Sequence, residues 1–416
     1  MKGDLLKRNM ENQKIKQGKT KIFLRDNLSL GVATSSTQIE GGDKNNTWYK
    51  FSVLDKKIKD GSTSLRANSH YKNFKKDLDL MSKMRIKDYR FSIEWSRIEP
   101  IENKFNLEAI EHYKQEICYM KKLGIRPLVT LWHFSNPIWF DEKGGFEKEK
   151  NLQFFFDYVT RIVTELKDLV DDFCTLNEPN VYASSGYLFG DWPPEKKSFS
   201  CFRKVMKNYA NAHLKTYEII KQIKPSANVG FAFALIYFKP YKNNPAYRTN
   251  CKLIDNEFQW KLLLKMCGNI KEDPHCDFIG INYYRDMICK GLNVFDDPNL
   301  EHNDLGWSIN PQGLKILINR VHSYFTNKEI YITENGIADK DDKQREKYLT
   351  NHLLIVNEFP FITRYYHWTF FDNFEWKEGE SAKFGLIDYN FKNGSYKIRQ
   401  SGKWYSNLIK NRILIK

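Results

Sequence analysis

Two glutamates, Glu178 and Glu334, close segments whose composition suits the ends of buried strands. The first segment is Asp172-Phe-Cys-Thr-Leu-Asn-Glu-Pro-Asn180 and the second is Glu329-Ile-Tyr-Ile-Thr-Glu-Asn-Gly336. In each, a strand-like run stops at a carboxylate that has an asparagine beside it, and a proline or glycine follows. A buried parallel strand is apolar and β-branched, so a carboxylate at its end is out of place unless it does chemistry. Two carboxyl groups converging on one pocket can cleave a glycosidic bond. One protonates the leaving oxygen while the other attacks the anomeric carbon. A single glutamate at a strand end is more simply a solvated loop charge; the pair and its surroundings are what point to catalysis.

Such a pair needs a scaffold that brings distant strand ends together. Strand-like runs fall at 28–33, 88–92, 126–131, 172–176, 228–233, 277–282, 329–333 and 365–371. Helical patterns lie at about 70–84, 107–123, 147–166, 202–223, 260–266, 311–323, 343–359 and 404–413, with Gly124 placed as a C-terminal stop. Strict β-then-α alternation implies parallel strands joined by right-handed crossovers, and eight of them imply a closed (β/α)8 barrel of the α/β class, the TIM barrel. The candidate chemistry lies where such a barrel assembles its sites. Gln38 follows the first strand and Arg90 lies on the second. His133 follows the third and Glu178 the fourth. Asn282 and Tyr284 end the sixth, Glu334 the seventh, and Glu375 follows the eighth.

Seven blocks, in order, carry a resemblance. They are Gly31-Val-Ala-Thr-Ser-Ser-Thr-Gln-Ile-Glu-Gly41, Tyr89-Arg-Phe-Ser-Ile-Glu-Trp-Ser-Arg-Ile-Glu-Pro100, Thr130-Leu-Trp-His-Phe134, the two glutamate segments, Asp277-Phe-Ile-Gly-Ile-Asn-Tyr-Tyr284 and Asp372-Asn-Phe-Glu-Trp376. Together they resemble glycoside hydrolase family 1, the β-glucosidase and β-galactosidase family, from about Leu30 to Tyr405. The resemblance implies a retaining exo-β-glycosidase, with Glu178 as acid/base and Glu334 as nucleophile. It implies Arg90 and Tyr284 as partners of Glu334, with Asn282 in support. It implies a sugar grip of Gln38, His133, Asn177, Glu375 and Trp376, with Trp368 beneath the ring. Family members usually have a tryptophan at Leu30, an aromatic at Thr37 and Glu380, and glycine at Arg85 and Arg364. If the last two positions need a left-handed backbone, arginine is strained there.

The chain has 416 residues, which a barrel with long loops absorbs as one domain over 1–416, with 1–22 a flexible or peripheral N-terminal arm. The formal charge is +15, but the basic residues are scattered apart from the stretch from Lys2 to Lys21, which argues against a nucleic-acid partner. No apolar run suggests a signal peptide or membrane span. Seven irregularly spaced cysteines argue against a disulfide framework and fit reduced thiols in a cytoplasm, with Cys174 in the core. No metal-ligand spacing occurs and no cofactor is implied. The expected partner is a small-molecule β-glycoside; assembly into a homo-oligomer is left open.

Two other readings compete. One is a 6-phospho-β-glycosidase, suggested by the positive charge. Enzymes of that kind resemble one another in a Ser, Lys, Tyr set, at positions that align here with Glu375, Ala382 and Phe384. A carboxylate in place of the serine would repel the phosphate. The other is a carbohydrate-binding pseudoenzyme, which loss of either glutamate would have favoured.

Overall fold

The computed structural model describes residues 20–269 and 273–415. Eight parallel strands close into a barrel in sequence order. They are β1 (Ser29–Ala33), β2 (Asp88–Ser92), β3 (Arg126–Trp132), β4 (Asp172–Asn177), β5 (Asn228–Ala234), β6 (Phe278–Asn282), β7 (Glu329–Asn335) and β8 (Ile362–Trp368). Each pairs in parallel with its sequence neighbours, and β8 returns to β1 through Arg364–Trp368 against Ser29–Ala33. Helices α1 (His70–Lys83), α2 (Leu107–Lys122), α3 (Leu152–Leu166), α4 (Phe199–Ile223), α5 (Lys261–Met266), α6 (Pro311–Tyr324), α7 (Arg345–Asn357) and α8 (Gln400–Asn411) follow the strands in alternation.

Local sequence sets these elements. In α3 the buried residues Leu152, Phe155, Val159, Ile162, Val163 and Leu166 recur at three- and four-residue spacing, so one stripe faces the barrel. Asn106 caps α2 by accepting from Glu108 N and Ala109 N, and Gly124 ends it at φ +70°. Inside the barrel a smaller core of Leu128, Cys174, Ala232, Phe278, Tyr331 and Tyr366 fills the floor, with Phe278 stacked on Tyr331 at 4.3 Å. The larger core lies between strands and helices.

Some expectations need correction. The eighth strand runs over Ile362–Trp368, not 365–371. Phe370 and Phe371 are apolar because they bury beyond the barrel, where Ile387 N donates to Phe370 O at 2.9 Å and Phe371 bridges to Ile387. Helix α3 starts five residues later than the pattern suggested, after two 3-10 turns at Gly145–Glu147 and Glu149–Asn151. The expected N-terminal arm falls mostly outside the described residues, but Lys21–Phe23 pairs antiparallel with Ile413–Ile415. Arg85 does have a left-handed backbone, at φ +66°. Arg364 does not: it sits in β8, its guanidinium 2.9 Å from Asp172 and stacked 4.7 Å over Tyr331. A segment missed in the sequence, Pro245–Asp255, forms a helix before α5, and Tyr237–Pro240, Asp286–Lys290 and Asn293–Phe295 form a small sheet over the barrel mouth loops.

One buried ion-pair cluster ties α1 to α2. His70 at the start of α1 is buried between Asp77 Oδ2 at 2.7 Å and Glu116 Oε1 at 3.0 Å. Burial alone would lower its pKa, but the two carboxylates outweigh that and raise it to about 10. A folded pKa above the unfolded value of about 6.5 means that this stabilisation is complete below that pH and is lost as pH rises through the folded value. His70→Gln is expected to cost about 3–5 kcal/mol at neutral pH, because two buried carboxylates lose their cation. Urea denaturation at pH 7 and pH 10 checks this: the gap to the parent should narrow at the higher pH.

Candidate active site

The C-terminal ends of the strands surround a cavity of about 260 Å³. Nine of the eleven expected site residues line it: His133, Asn177, Glu178, Asn282, Tyr284, Glu334, Trp368, Glu375 and Trp376. Arg90 and Gln38 stand behind that wall. Arg90 Nη1 donates to Glu334 Oε1 at 2.5 Å, Nη2 donates to Asn177 Oδ1 at 2.5 Å, and Nε donates to Thr130 Oγ1 at 3.1 Å. Gln38 accepts from Ser35 Oγ at 2.6 Å, and its buried side chain faces Glu375, where it favours the ionised carboxylate.

The backbone is strained where the cavity is built. Phe134, Glu178 and Trp376 have φ of +66°, +41° and +46°. Such non-glycine conformations cost about 1–3 kcal/mol each and persist only where the surroundings enforce them. For Glu178 the enforcement is visible. Its N–H donates to Ala232 O on β5 at 2.8 Å, and Pro179 then opens a short helix, Pro179–Ala183. For β7, Gly336 lets the chain pass Trp368, whose carbonyl oxygen would lie 1.9 Å from any added Cβ.

The two glutamates sit in unequal surroundings. Burial raises the pKa of both, and the charge of Glu334 raises that of Glu178 further. For Glu334 burial outweighs its partners and leaves the pKa raised, but the Arg90 guanidinium on Oε1 and the Tyr284 hydroxyl on Oε2 at 2.7 Å oppose that rise and favour the ionised form. Glu178 accepts Asn282 Nδ2 at 2.8 Å, and burial and Glu334 push it up to about 8. A proton shared by the pair therefore rests on Glu178. Asn282 is itself held by Thr333 Oγ1 on Oδ1 at 2.6 Å.

Asn177 joins these contacts to the polar wall. Its Oδ1 accepts from Arg90 and from Asn282, which leaves Nδ2 facing His133 Nε2 at 2.9 Å. His133 therefore accepts there, and burial and Arg90 hold its pKa well below the ordinary value, so the ring is neutral. The ring lies 5.9 Å from both Trp368 and Trp376. Glu375 is pushed up to about 8 by burial, although Trp368 Nε1 donates to it at 3.4 Å. Neutral donors, an acid, and aromatic faces around one cavity suit a molecule with hydroxyl edges and C–H faces.

The departures lie beside this set. Thr37 Oγ1 donates to buried Glu94 at 2.6 Å, and Glu380 forms a fork with Arg66 at the rim. Lys383 turns away from the cavity, with Nζ 3.9 Å from Asp372 and 4.9 Å from the Phe391 ring centre. Sequence reasoning missed Trp192 and Trp307, which line the cavity from loops, and Thr130 and Thr333 behind it. The two threonines carried a signal, a polar side chain in a buried strand; the tryptophans carried none.

The model of glycosyl hydrolase family 1 matches residues 20–272 and 268–413. This chain belongs to glycosyl hydrolase family 1. Beta-glucosidase A of Thermotoga maritima is 30% identical over 432 residues, spanning 92% of this chain and 96% of that protein. The 1,4-beta-D-glucan glucohydrolase of Thermotoga neapolitana is 31% identical, spanning 92% of this chain and 97% of that protein. A solved beta-glycosidase from Pyrococcus horikoshii superposes with a TM-score of 0.89 at 32% identity, covering 95% of this chain and 96% of that one. The family 1 chain described here is thus a β-glycosidase with a TIM-barrel fold. None of its helices, among the described residues, is long and apolar enough to cross a membrane.

Proposed function

We propose that this family 1 enzyme hydrolyses unphosphorylated β-glucosides, β-galactosides or β-fucosides with retention, through a covalent glycosyl-enzyme. The observation that carries the reading is the asymmetry of the two glutamates: Arg90 and Tyr284 converge on Glu334, while Glu178 sits buried with the shared proton. Glu334 is then the nucleophile and Glu178 the acid that becomes the base for water in the second step. This assignment requires carboxyl groups about 5–5.5 Å apart, without room for an intervening water. Asn177 would hold the 2-hydroxyl, a bond that strengthens as positive charge develops at the anomeric carbon. Gln38, His133, Glu375 and Trp376 would take the remaining hydroxyls, with Trp368 under the ring. Sugar hydroxyls donating to Glu375 favour its ionised form.

Against a 6-phosphate, Glu375 offers at most the single proton that its pKa of about 8 leaves on it, and its ionised form repels the phosphate. Lys383 points elsewhere, and the two cations on the cavity wall are already paired: Arg285 with Asp296 at 2.8 Å and Lys377 with Asp191 at 3.0 Å. Like-charge contact of this kind costs several kcal/mol. Nitrophenyl β-glucoside or β-galactoside is therefore expected to show kcat/KM at least about 100-fold above its 6-phosphate, as such a cost implies. Proton NMR of the first-formed sugar should give the β-anomer. Preference for the phosphorylated substrate would overturn the substrate assignment, and an α-anomer would overturn retention.

A further inference from the structure

The loops that carry the sugar-gripping residues are tied across the cavity mouth by charge. Segment 57–66, between β1 and α1, reaches segment 375–380, after β8. Lys59 Nζ pairs with Glu378 at 2.5 Å, and Arg66 forks onto Glu380 through Nε at 2.7 Å and Nη2 at 2.5 Å. The backbone joins in: Lys59 N donates to Lys377 O at 3.0 Å, and Glu380 N donates to Asp60 Oδ2 at 2.7 Å. A third segment closes the ring after β4, where Lys57 pairs with Glu195 and Lys377 with Asp191 at 3.0 Å. Four ion pairs thus connect three loops that are distant in sequence. The middle loop holds Glu375 and Trp376, the latter at a strained positive φ. A conformation of that kind needs its neighbours to hold it.

We propose that these pairs act as an electrostatic clasp, in which Lys59, Arg66 and Glu380 are positioning residues that set Glu375 and Trp376 for the sugar. This rests on the reading that Glu375 and Trp376 grip the substrate. It concerns affinity, because no member of the clasp touches Glu178 or Glu334. The lysine and arginine side chains are 31% to 58% exposed, so the clasp lies within reach of salt. The Debye length falls from about 30 Å at 0.01 M to about 3 Å at 1 M, and each exposed pair is worth only about a two- to fivefold effect.

The test uses the full chain, a neutral nitrophenyl β-glycoside and two ionic strengths. Arg66→Met and Glu380→Gln are each expected to raise KM about two- to fivefold at low salt, the size of one exposed pair, with kcat nearly unchanged. The exchange Arg66→Glu with Glu380→Arg should recover much of the loss. Parent KM should rise with salt, and that of either single variant should rise less. Amide hydrogen exchange across 375–380 supplies a readout independent of activity: protection should fall in the single variants and in the parent at high salt. Unchanged protection overturns the clasp. Lost protection with unchanged KM overturns its link to sugar binding and counts against Glu375 and Trp376 as the grip, while leaving the assignment of Glu178 and Glu334 intact.

Discussion

Glu334→Ala is expected to abolish turnover, lowering kcat by about 10⁴-fold or more, the scale on which loss of a nucleophile is felt. The reason lies in what the side chain holds. Arg90 and Tyr284 both terminate on its carboxylate, so the truncation removes the attacking oxygen and leaves a buried guanidinium without its counter-ion. It also opens a small space beside the anomeric position. Azide or formate can enter that space, restore a negative charge next to Arg90 and attack in place of the missing carboxylate. Rescue should therefore be partial and should give the product of inverted configuration, since only one displacement then occurs. Steady-state rates with and without azide, and NMR of the azide adduct, decide the matter. Near-parental activity in Glu334→Ala, or rescue with retained configuration, would remove Glu334 from the role of nucleophile.

How much of this site was legible in the sequence depends on where each residue sits. Glu178 and Glu334 could be read because a carboxylate contrasts with the apolar strand that ends in it. The barrel could be read for a related reason: buried parallel strands and amphipathic helices alternate with distinct periods. Arg90 was different. It lies in the middle of β2 and is fully buried, and only the family resemblance gave it a role. The end of β8 was misplaced because Phe370 and Phe371 continue the apolar run while packing outside the sheet. Trp192 and Trp307 reach the cavity from loops whose paths no local pattern encodes. Side-chain direction is equally hidden from sequence. Lys383 neighbours the Asp372 motif in the chain yet turns to Asp372 and Phe391, away from the cavity. The ion pairs at the mouth join residues more than 130 positions apart, so their spacing carries no signal.

Glu178→Ala should behave differently from the nucleophile variant, and the difference isolates its role. A general acid contributes about 10²–10⁴-fold where the leaving group needs a proton. The loss should therefore approach that range for alkyl β-glycosides and be smallest for dinitrophenyl β-glycosides, whose leaving group departs as a stable anion. With the activated substrate the second step also suffers, because no base remains to activate water, so the glycosyl-enzyme should accumulate and give a burst of dinitrophenolate. The pH dependence supplies an independent check. On the proposed assignment the parent needs Glu334 ionised and Glu178 protonated, so kcat/KM should be bell-shaped, with the basic limb falling near the pKa of about 8 to which burial and Glu334 push Glu178. Glu178 loses its proton as pH rises through that value, and the acid-catalysed step is lost with it. In Glu178→Ala the basic limb should flatten while the acidic limb, which reports Glu334, remains. A variant that keeps the full bell, or that loses activity equally for all leaving groups, would show that another residue supplies the proton.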